Sequence, residues 1–156
     1  MLPDTRLIRL PSALTHLFLL LARVVVGVVL IAHGWDKLSG EGGVSGTASG
    51  FASMGNPLPE VSAWFAVGTE IGGGVLLILG LLTQLAALCA VLLTAGAVWF
   101  VHWSNGILVT EGGWELVGVI GAACLMLIAV GPGRISLDGL FTIGRRSRTA
   151  RASAEG

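Results

Sequence analysis

Charged residues are scarce in this sequence. They account for 12% of its 156 residues, against about a quarter in a typical soluble domain. This deficit, together with a mean hydropathy of +0.87, excludes an ordinary water-soluble domain and predicts that lipid surrounds most of the chain. Four apolar runs are candidates to cross a bilayer, at about residues 13–34, 61–82, 85–103 and 114–130. At about 1.5 Å per residue, each is long enough for a hydrocarbon core about 30 Å thick, the third only just.

Motifs for redox, nucleotide or nucleophilic chemistry are also lacking. The two cysteines, Cys89 and Cys124, lie within apolar runs and do not form a Cys-x-x-Cys pair, so inert packing is favoured over a thiol relay. The glycine-rich segment from Ser39 to Gly50 follows no strand, which favours a flexible linker over a phosphate-binding loop. The sequence shows no Ser-His-Asp set and no basic-aromatic surface. We therefore expect no cofactor held within the chain and no nucleic-acid partner.

Basic residues are nearly absent between the apolar runs, where Lys37 is the only Lys or Arg. The others, apart from Arg23, flank the first and last runs: Arg6, Arg9, Arg134, Arg145, Arg146, Arg148 and Arg151. The positive-inside rule then places both termini in the cytoplasm, as an even number of crossings requires. All five tryptophans fall at the opposite, outer ends of the runs, where amphipathic rings favour the headgroup layer: Trp35, Trp64, Trp99, Trp103 and Trp114.

These observations predict an all-α integral membrane protein of the bacterial inner membrane, an antiparallel four-helix bundle with cytoplasmic N- and C-termini. Residues 1–144 form its single domain, and residues 145–156 a basic, disordered cytoplasmic tail. The connection Thr83-Gln84 between the second and third spans is too short for anything but a tight antiparallel hairpin. The first run carries Arg23 and lacks an Ala-x-Ala cleavage pattern, so we interpret it as a retained helix and not as a signal peptide.

Two charges fall in the middle of apolar runs. Arg23 lies about 15 Å from the inner end of the first span, and Glu70 about 14 Å from the outer end of the second. Both reach the midplane, which predicts an intramembrane polar pair. The pair either fixes helix register or takes part in substrate binding or proton transfer, and the sequence leaves these alternatives even. Small residues nearby predict close helix packing: Gly27, Gly72, Gly73 and Gly74.

Polar and ionisable residues also collect at the predicted outer ends of the spans: His33, Lys37, His102, Asn105 and Glu115. Convergence from several helices at one mouth of a bundle predicts an outer-face polar cluster that binds a small molecule. A structural alternative stays open, because a histidine at a helix end is more often an interface or capping residue. The spacing of these residues carries no metal or haem ligand signature, so no metal site is predicted.

Each span, and most of the connections, contains a distinctive short motif. These motifs are Arg23 with Gly27; His33-Gly34-Trp35-Asp36-Lys37-Leu38; Met54-Gly55 with Pro57; Glu70-Ile71-Gly72-Gly73-Gly74; Gly80 with Thr83-Gln84-Leu85-Ala86-Ala87; His102 with Asn105-Gly106; Gly113-Trp114-Glu115; and Gly131-Pro132-Gly133-Arg134-Ile135-Ser136-Leu137-Asp138. In these motifs, over about residues 15 to 140, the sequence resembles the DoxX family of small bacterial membrane proteins. The resemblance implies a four-helix inner-membrane protein. It also implies a link to redox chemistry, because some relatives are associated with thiosulfate-to-quinone oxidation and others with membrane-bound oxidoreductase or oxidative-stress assemblies.

Three functions are compatible with these features. The first, which we favour, is an accessory or assembly subunit of a membrane oxidoreductase or respiratory complex, with membrane lipid and the other subunits as partners. The second is a catalytic or quinone-reactive subunit of the thiosulfate:quinone type, in which the intramembrane and outer polar residues bind a quinone head group and relay protons. A small-solute or proton carrier is the weakest, because the sequence shows neither an internal repeat nor an interrupted helix.

Overall fold

A computed structural model describes residues 11–141 of the chain. Within that range the protein is helical and contains no strand, so the predicted all-α fold is confirmed. Five helices of ten or more residues lie in that range: α1 (Ser12–Ser39), α2 (Gly43–Ser53), α3 (Pro59–Leu79), α4 (Thr83–Asn105) and α5 (Glu115–Val130). The predicted basic tail at 145–156 lies outside the described residues.

Three of the helices, α1, α3 and α4, are long and apolar enough to cross a membrane. The fourth candidate, α5, is equally apolar in character but has 16 residues, or about 24 Å of helix. The shorter α2 lies in the connection for which the sequence predicts a flexible linker, and that prediction is wrong. Its glycine, alanine and serine side chains are small enough for the helix to pack closely against α3.

A core of mostly small and branched side chains joins the four long helices. Val26 and Leu30 of α1 pack with Leu77 of α3. In the same core, Ala86, Ala87 and Ala90 of α4 pack with Ile120, Cys124 and Leu127 of α5. Cys124 is fully buried and Cys89 half-buried. Large apolar side chains point outward all around the bundle, where they contact lipid.

Glycines let α1 and α3 approach each other closely. A Cβ atom built on Gly27 would lie 2.6 Å from the carbonyl oxygen of Gly74, and one on Gly74 would lie 2.7 Å from that of Gly27. Gly34 makes a second close approach, because its Cβ would lie 2.8 Å from Cβ of Glu70. Of the other glycines with a predicted packing role, Gly73 has only ordinary contacts and Gly72 faces open space.

The antiparallel helices gather at two ends, which we call the termini end and the loop end. The termini end holds the start of α1, the turn between α3 and α4, and the segment 131–141 that follows α5. The loop end holds α2 and the connection between α4 and α5, which contains a short 3-10 turn, Val109–Glu111. Four exposed tryptophans mark the loop end, in agreement with the predicted headgroup layer: Trp35, Trp64, Trp99 and Trp103. The assignment of the termini end to the cytoplasm stays a prediction.

The α3–α4 turn is held by the segment that follows α5. Gly80 ends α3 with a φ of 67° and Leu82 has a φ of 49°, so both residues adopt the left-handed region. The Asp138 carboxylate accepts the backbone N–H groups of Leu82 and Thr83, each at 3.0 Å. Its own backbone N–H donates to the Gly80 carbonyl at 2.9 Å. The turn therefore lies at Gly80–Leu82, and Thr83 already belongs to the first turn of α4.

Candidate functional site

A cavity of about 480 Å³ opens at the loop end between α1, α3, α4 and α5. Its walls are mostly apolar, with three phenylalanines among the lining residues: Phe51, Phe65 and Phe100. Its charged and imidazole groups are His33, Lys37, Glu70 and His102. This size, and this mixture of an apolar wall with a few convergent polar groups, are typical of small-molecule sites in proteins. We call it the loop-end cavity.

An ion pair between α1 and α3 forms the polar wall of the loop-end cavity. Lys37 Nζ lies 2.7 Å from Glu70 Oε1, and the side chains are 24% and 9% exposed. Lys37 Nζ also lies 3.5 Å from the His33 carbonyl oxygen, one turn earlier on α1. The second carboxylate oxygen of Glu70 is buried and has no hydrogen-bond partner among residues 11–141.

The predicted Arg23–Glu70 pair is not formed. Glu70 packs beside Gly34, which lies eleven residues, or about 16 Å, further along α1 than Arg23. The prediction assumed that both apolar runs are centred at the same depth in the membrane. In the structure α1 continues to Ser39, which brings Lys37 to the depth of Glu70. A small residue at position 34 removes the side chain that would otherwise separate the two helices at this level.

Arg23 instead belongs to the termini end. It is fully buried, its guanidinium lies directly over Gly80, and its Nη2 group donates to the carbonyl oxygen of Ile135. The Asp138 carboxylate lies close enough to interact electrostatically with the Arg23 guanidinium. Arg23 therefore fastens the segment after α5 against α1 and the α3–α4 turn. Its Nε and Nη1 groups are buried without a hydrogen-bond partner among the described residues.

Two π-helical segments present the site residues of α3 and α4. Glu70 lies in Gly68–Gly73, and His102 is the last residue of Val98–His102. A π turn adds one residue to a helical turn, so it changes the direction of the side chains that follow, and such turns are frequent at functional sites. The sequence-based analysis missed both segments, because these spans are almost uniformly apolar and a shift of one residue in the helical repeat leaves no visible change in such a pattern.

His102 has one ring nitrogen fixed by the α4–α5 connection. Its Nδ1 lies 2.6 Å from the carbonyl oxygen of Gly112. Because a carbonyl oxygen only accepts, Nδ1 carries a proton, and in the neutral ring Nε2 then holds a lone pair. No group among residues 11–141 forms a hydrogen bond with Nε2. His102 lines the loop-end cavity, and in its neutral ring the nitrogen that this bond leaves free is an acceptor.

The other members of the predicted outer-face cluster divide between the cavity and the neighbouring loop. His33 and Lys37 line the cavity with His102. Asn105 and Glu115 do not: Asn105 Nδ2 lies 3.4 Å from the carbonyl oxygens of Val101 and Gly112, and Glu115 Oε1 accepts the Val109 N–H at 2.9 Å. The last two therefore shape the α4–α5 connection around the cavity and do not face its interior.

The end of α2 and the connection between α2 and α3 supply wall residues that the sequence-based analysis missed. Phe51, Met54 and Asn56 line the cavity from this side. Asn56 Oδ1 accepts the Leu58 N–H at 2.9 Å and the Ser62 hydroxyl at 3.2 Å, which fixes the start of α3. The motif Met54-Gly55 with Pro57 carried the only signal for this wall. Within residues 11–141, no group of three or more His, Cys, Asp or Glu side chains is arranged to hold a metal ion.

Comparison with known proteins assigns this arrangement to a family. The family model described as DoxX matches residues 18–103, a range that contains His33, Lys37, Glu70 and His102. The chain belongs to the DoxX family. No solved structure matches the chain significantly.

Two of the named relatives align with most of this DoxX protein, and a third aligns with about half of it. It is 34% identical to the inner membrane protein YphA of Escherichia coli (strain K12) over 133 residues, which are 81% of this chain and 92% of the relative. It is 33% identical to the inner membrane protein YqjF of the same organism over 132 residues, 78% of this chain and 90% of the relative. It is also 35% identical to "Putative oxidoreductase CatD" of Bacillus subtilis (strain 168) over 79 residues, 51% of this chain and 55% of the relative. This DoxX protein is a multi-pass protein of the inner membrane.

Proposed function

We propose that this DoxX protein is the quinone-binding accessory subunit of a membrane oxidoreductase or respiratory complex, and that the loop-end cavity is its quinone site. The observation that carries this proposal is the cavity itself, in which an ion pair and two imidazoles face an apolar chamber of about 480 Å³. A subunit that served assembly alone has no need of such a chamber, so the cavity favours the quinone-reactive hypothesis.

The chemistry of a quinone fits the two parts of this chamber. The ring and its isoprenoid chain are apolar, and aromatic side chains such as Phe65 and Phe100 offer flat surfaces for ring packing. The two ring oxygens need polar partners, and Lys37, Glu70 and His102 lie on three different helical segments around the space. Lipid is the solvent from which such a ligand would enter.

The chain's own residues would bind the head group, exclude water and hold protons at Glu70 and His102. Electrons would pass to or from a partner subunit that carries a flavin, haem or iron–sulfur group. The relative called an oxidoreductase, CatD, supports a redox setting by its printed name alone.

A cavity-filling variant tests the quinone site. An added Cβ at Gly96, which lines the cavity, meets no atom within 4 Å, so Gly96→Phe would occupy the chamber without a backbone clash. Gly68→Phe is the matched control, because Gly68 is exposed, has equal room and lies outside the cavity lining. We expect Gly96→Phe to weaken binding of a short-chain naphthoquinone by at least about tenfold, and Gly68→Phe to leave it unchanged.

The measurement is quenching of tryptophan fluorescence by the naphthoquinone, with the purified protein in lipid nanodiscs. Absence of saturable quenching in the unmodified protein would refute the quinone site. The accessory role is tested separately, by purification in a mild detergent from its native membrane. Migration as a lone species, without a redox-active subunit, would contradict that part of the proposal.

A further inference from the structure

We infer that the loop-end cavity is built for the reduced form of its ligand, a quinol, whose two hydroxyl groups donate hydrogen bonds to His102 Nε2 and Glu70 Oε2. The inference rests on the proposed function, because it assumes that the cavity binds a quinone-type head group. It adds the redox state of the preferred ligand and the protein atoms that distinguish the two states.

The first acceptor is His102. Its Nδ1 group is committed to the Gly112 carbonyl at 2.6 Å, and this bond fixes the position of the proton on the neutral ring. Nε2 therefore carries a lone pair and has no donor among residues 11–141. A quinone oxygen placed there would bring two lone pairs together, whereas a quinol hydroxyl would complete a hydrogen bond.

The second acceptor is Glu70. Lys37 Nζ forms an ion pair with one carboxylate oxygen at 2.7 Å, and a carboxylate can only accept hydrogen bonds. The other oxygen, Oε2, is buried without a partner among the described residues, and the side chain is 9% exposed. A buried acceptor without a donor destabilises a protein, so a ligand hydroxyl that reaches Oε2 would remove an existing cost.

The donors in the same cavity are largely engaged by the protein. Lys37 directs two of its three N–H groups to Glu70 Oε1 and toward the His33 carbonyl oxygen. The hydroxyl of Ser62 donates to Asn56, and that of Thr94 donates to the Ala90 carbonyl within its own helix. The third N–H group of Lys37, the His33 ring and the amide nitrogen of Asn56 remain able to donate. A quinol oxygen accepts such a bond as well as a quinone oxygen does. The two acceptors without a partner, His102 Nε2 and Glu70 Oε2, therefore favour a quinol over a quinone, whereas the available donors bind both forms equally well.

Three related probes give a direct test with the unmodified protein. We would compare a short-chain naphthoquinol, the corresponding naphthoquinone and the dimethyl ether of the quinol in lipid nanodiscs, under anaerobic conditions and at about pH 8. The quinol is expected to bind at least about tenfold more tightly than either other probe, because a site that hydrogen-bonds a hydroxyl discriminates against analogues that lack it. The dimethyl ether keeps the ring and its oxygens but cannot donate.

Two substitutions at His102 then assign the acceptor. The amide nitrogen of His102→Asn approximates the position of Nδ1 and keeps the bond to Gly112, but nothing replaces Nε2. The amide oxygen of His102→Gln approximates the position of Nε2. We expect His102→Asn to abolish most of the preference for quinol and His102→Gln to retain it. Glu70→Gln is expected to lower affinity for the quinol by about tenfold and to change that for the quinone little.

The possible outcomes separate this inference from the function on which it rests. Equal binding of quinol and quinone, or tighter binding of the quinone, would overturn the inference while leaving a quinone site in place. Binding of none of the probes would overturn both. A uniform loss of affinity for all three probes in Glu70→Gln and His102→Asn, with unchanged thermal unfolding, would refute the roles assigned to these two residues.

Discussion

The two ends of this bundle use charged residues in different ways. At the termini end, Arg23 and Asp138 bond to backbone groups of Ile135, Leu82 and Thr83 and thereby close the turn between α3 and α4. At the loop end, Lys37 and Glu70 bond to each other beside a cavity, and Glu70 keeps one oxygen without a protein partner. Both ends keep buried polar atoms without a partner among the described residues: Nε and Nη1 of Arg23 at the termini end, and Oε2 of Glu70 at the loop end. The ends differ because Glu70 lines a cavity, where a ligand can approach it, whereas Arg23 does not line that cavity.

The largest expected effect on stability comes from a substitution at Gly80, which disrupts packing at the termini end. A Cβ at this position would overlap the Arg23 guanidinium and lie 2.5 Å from Ser136 Cβ, in a residue whose φ is already 67°. We expect Gly80→Ala to lower the free energy of unfolding by about 3 kcal/mol, from left-handed strain and the displaced buried cation together. Thermal unfolding in detergent would measure this, with Gly96→Ala as the control.

The same substitution sharpens the comparison between the ends. Gly80→Ala leaves every cavity residue in place, so the protein that still folds should bind the naphthoquinone with unchanged affinity. An equal fall in stability for Gly80→Ala and Gly96→Ala would show that Arg23 and Gly80 do not hold the termini end.

The next effect comes from removing one partner of the loop-end ion pair. Lys37→Met leaves Glu70 as a largely buried, uncompensated carboxylate, and we expect a loss of about 2 kcal/mol in unfolding free energy, reduced from the fully buried case because Lys37 is partly exposed. The double variant Lys37→Met with Glu70→Leu should regain most of that stability. It should not regain ligand affinity.

A double-mutant cycle on these two positions measures both properties at once. If the double variant bound the quinone like the unmodified protein, the pair would have only a structural role, like the charges at the termini end. If the double variant regained its stability but not its affinity for the quinone, the loop-end pair would have a role in ligand binding that the charges at the termini end lack.

A smaller effect is expected at Asp138. Its carboxylate accepts two N–H groups at the start of α4 and so acts as a helix cap supplied by another part of the chain. Asp138→Ala should lower the free energy of unfolding by about 1 kcal/mol, and ligand affinity should not change. Asp138→Asn keeps one acceptor oxygen and should cost less than the alanine variant in the same thermal measurement. Equal costs for the two variants would argue against capping.

Much of this architecture could be predicted from composition and hydropathy, because membrane spans depend on long apolar runs. The relative depth of Arg23 and Glu70 could not, since it depends on how far α1 extends past the bilayer core and on which glycines touch α3. The Gly27–Gly74 and Gly34–Glu70 contacts set that register, and a glycine's neighbour cannot be identified from a single sequence. That these polar residues lie at the loop end was predictable from the positions of the helix ends. The direction of each side chain was not, so the predicted cluster combined Asn105 and Glu115 with residues that line the cavity.

The smallest effect should arise where a polar residue supports the cavity from outside. Glu115 Oε1 accepts the N–H of Val109, and Val109 itself lines the loop-end cavity. Glu115→Ala removes one partly exposed hydrogen bond, so we expect a loss of about 0.5 kcal/mol in stability and about a threefold loss in quinone affinity, because the wall becomes less well defined. Glu115→Gln keeps the accepting oxygen and should behave like the unmodified protein in both fluorescence quenching and thermal unfolding. A loss in Glu115→Ala as large as that in Lys37→Met would instead mean that Glu115 meets the ligand directly, and that the loop end carries more of its binding charge on α5 than the present geometry assigns to it.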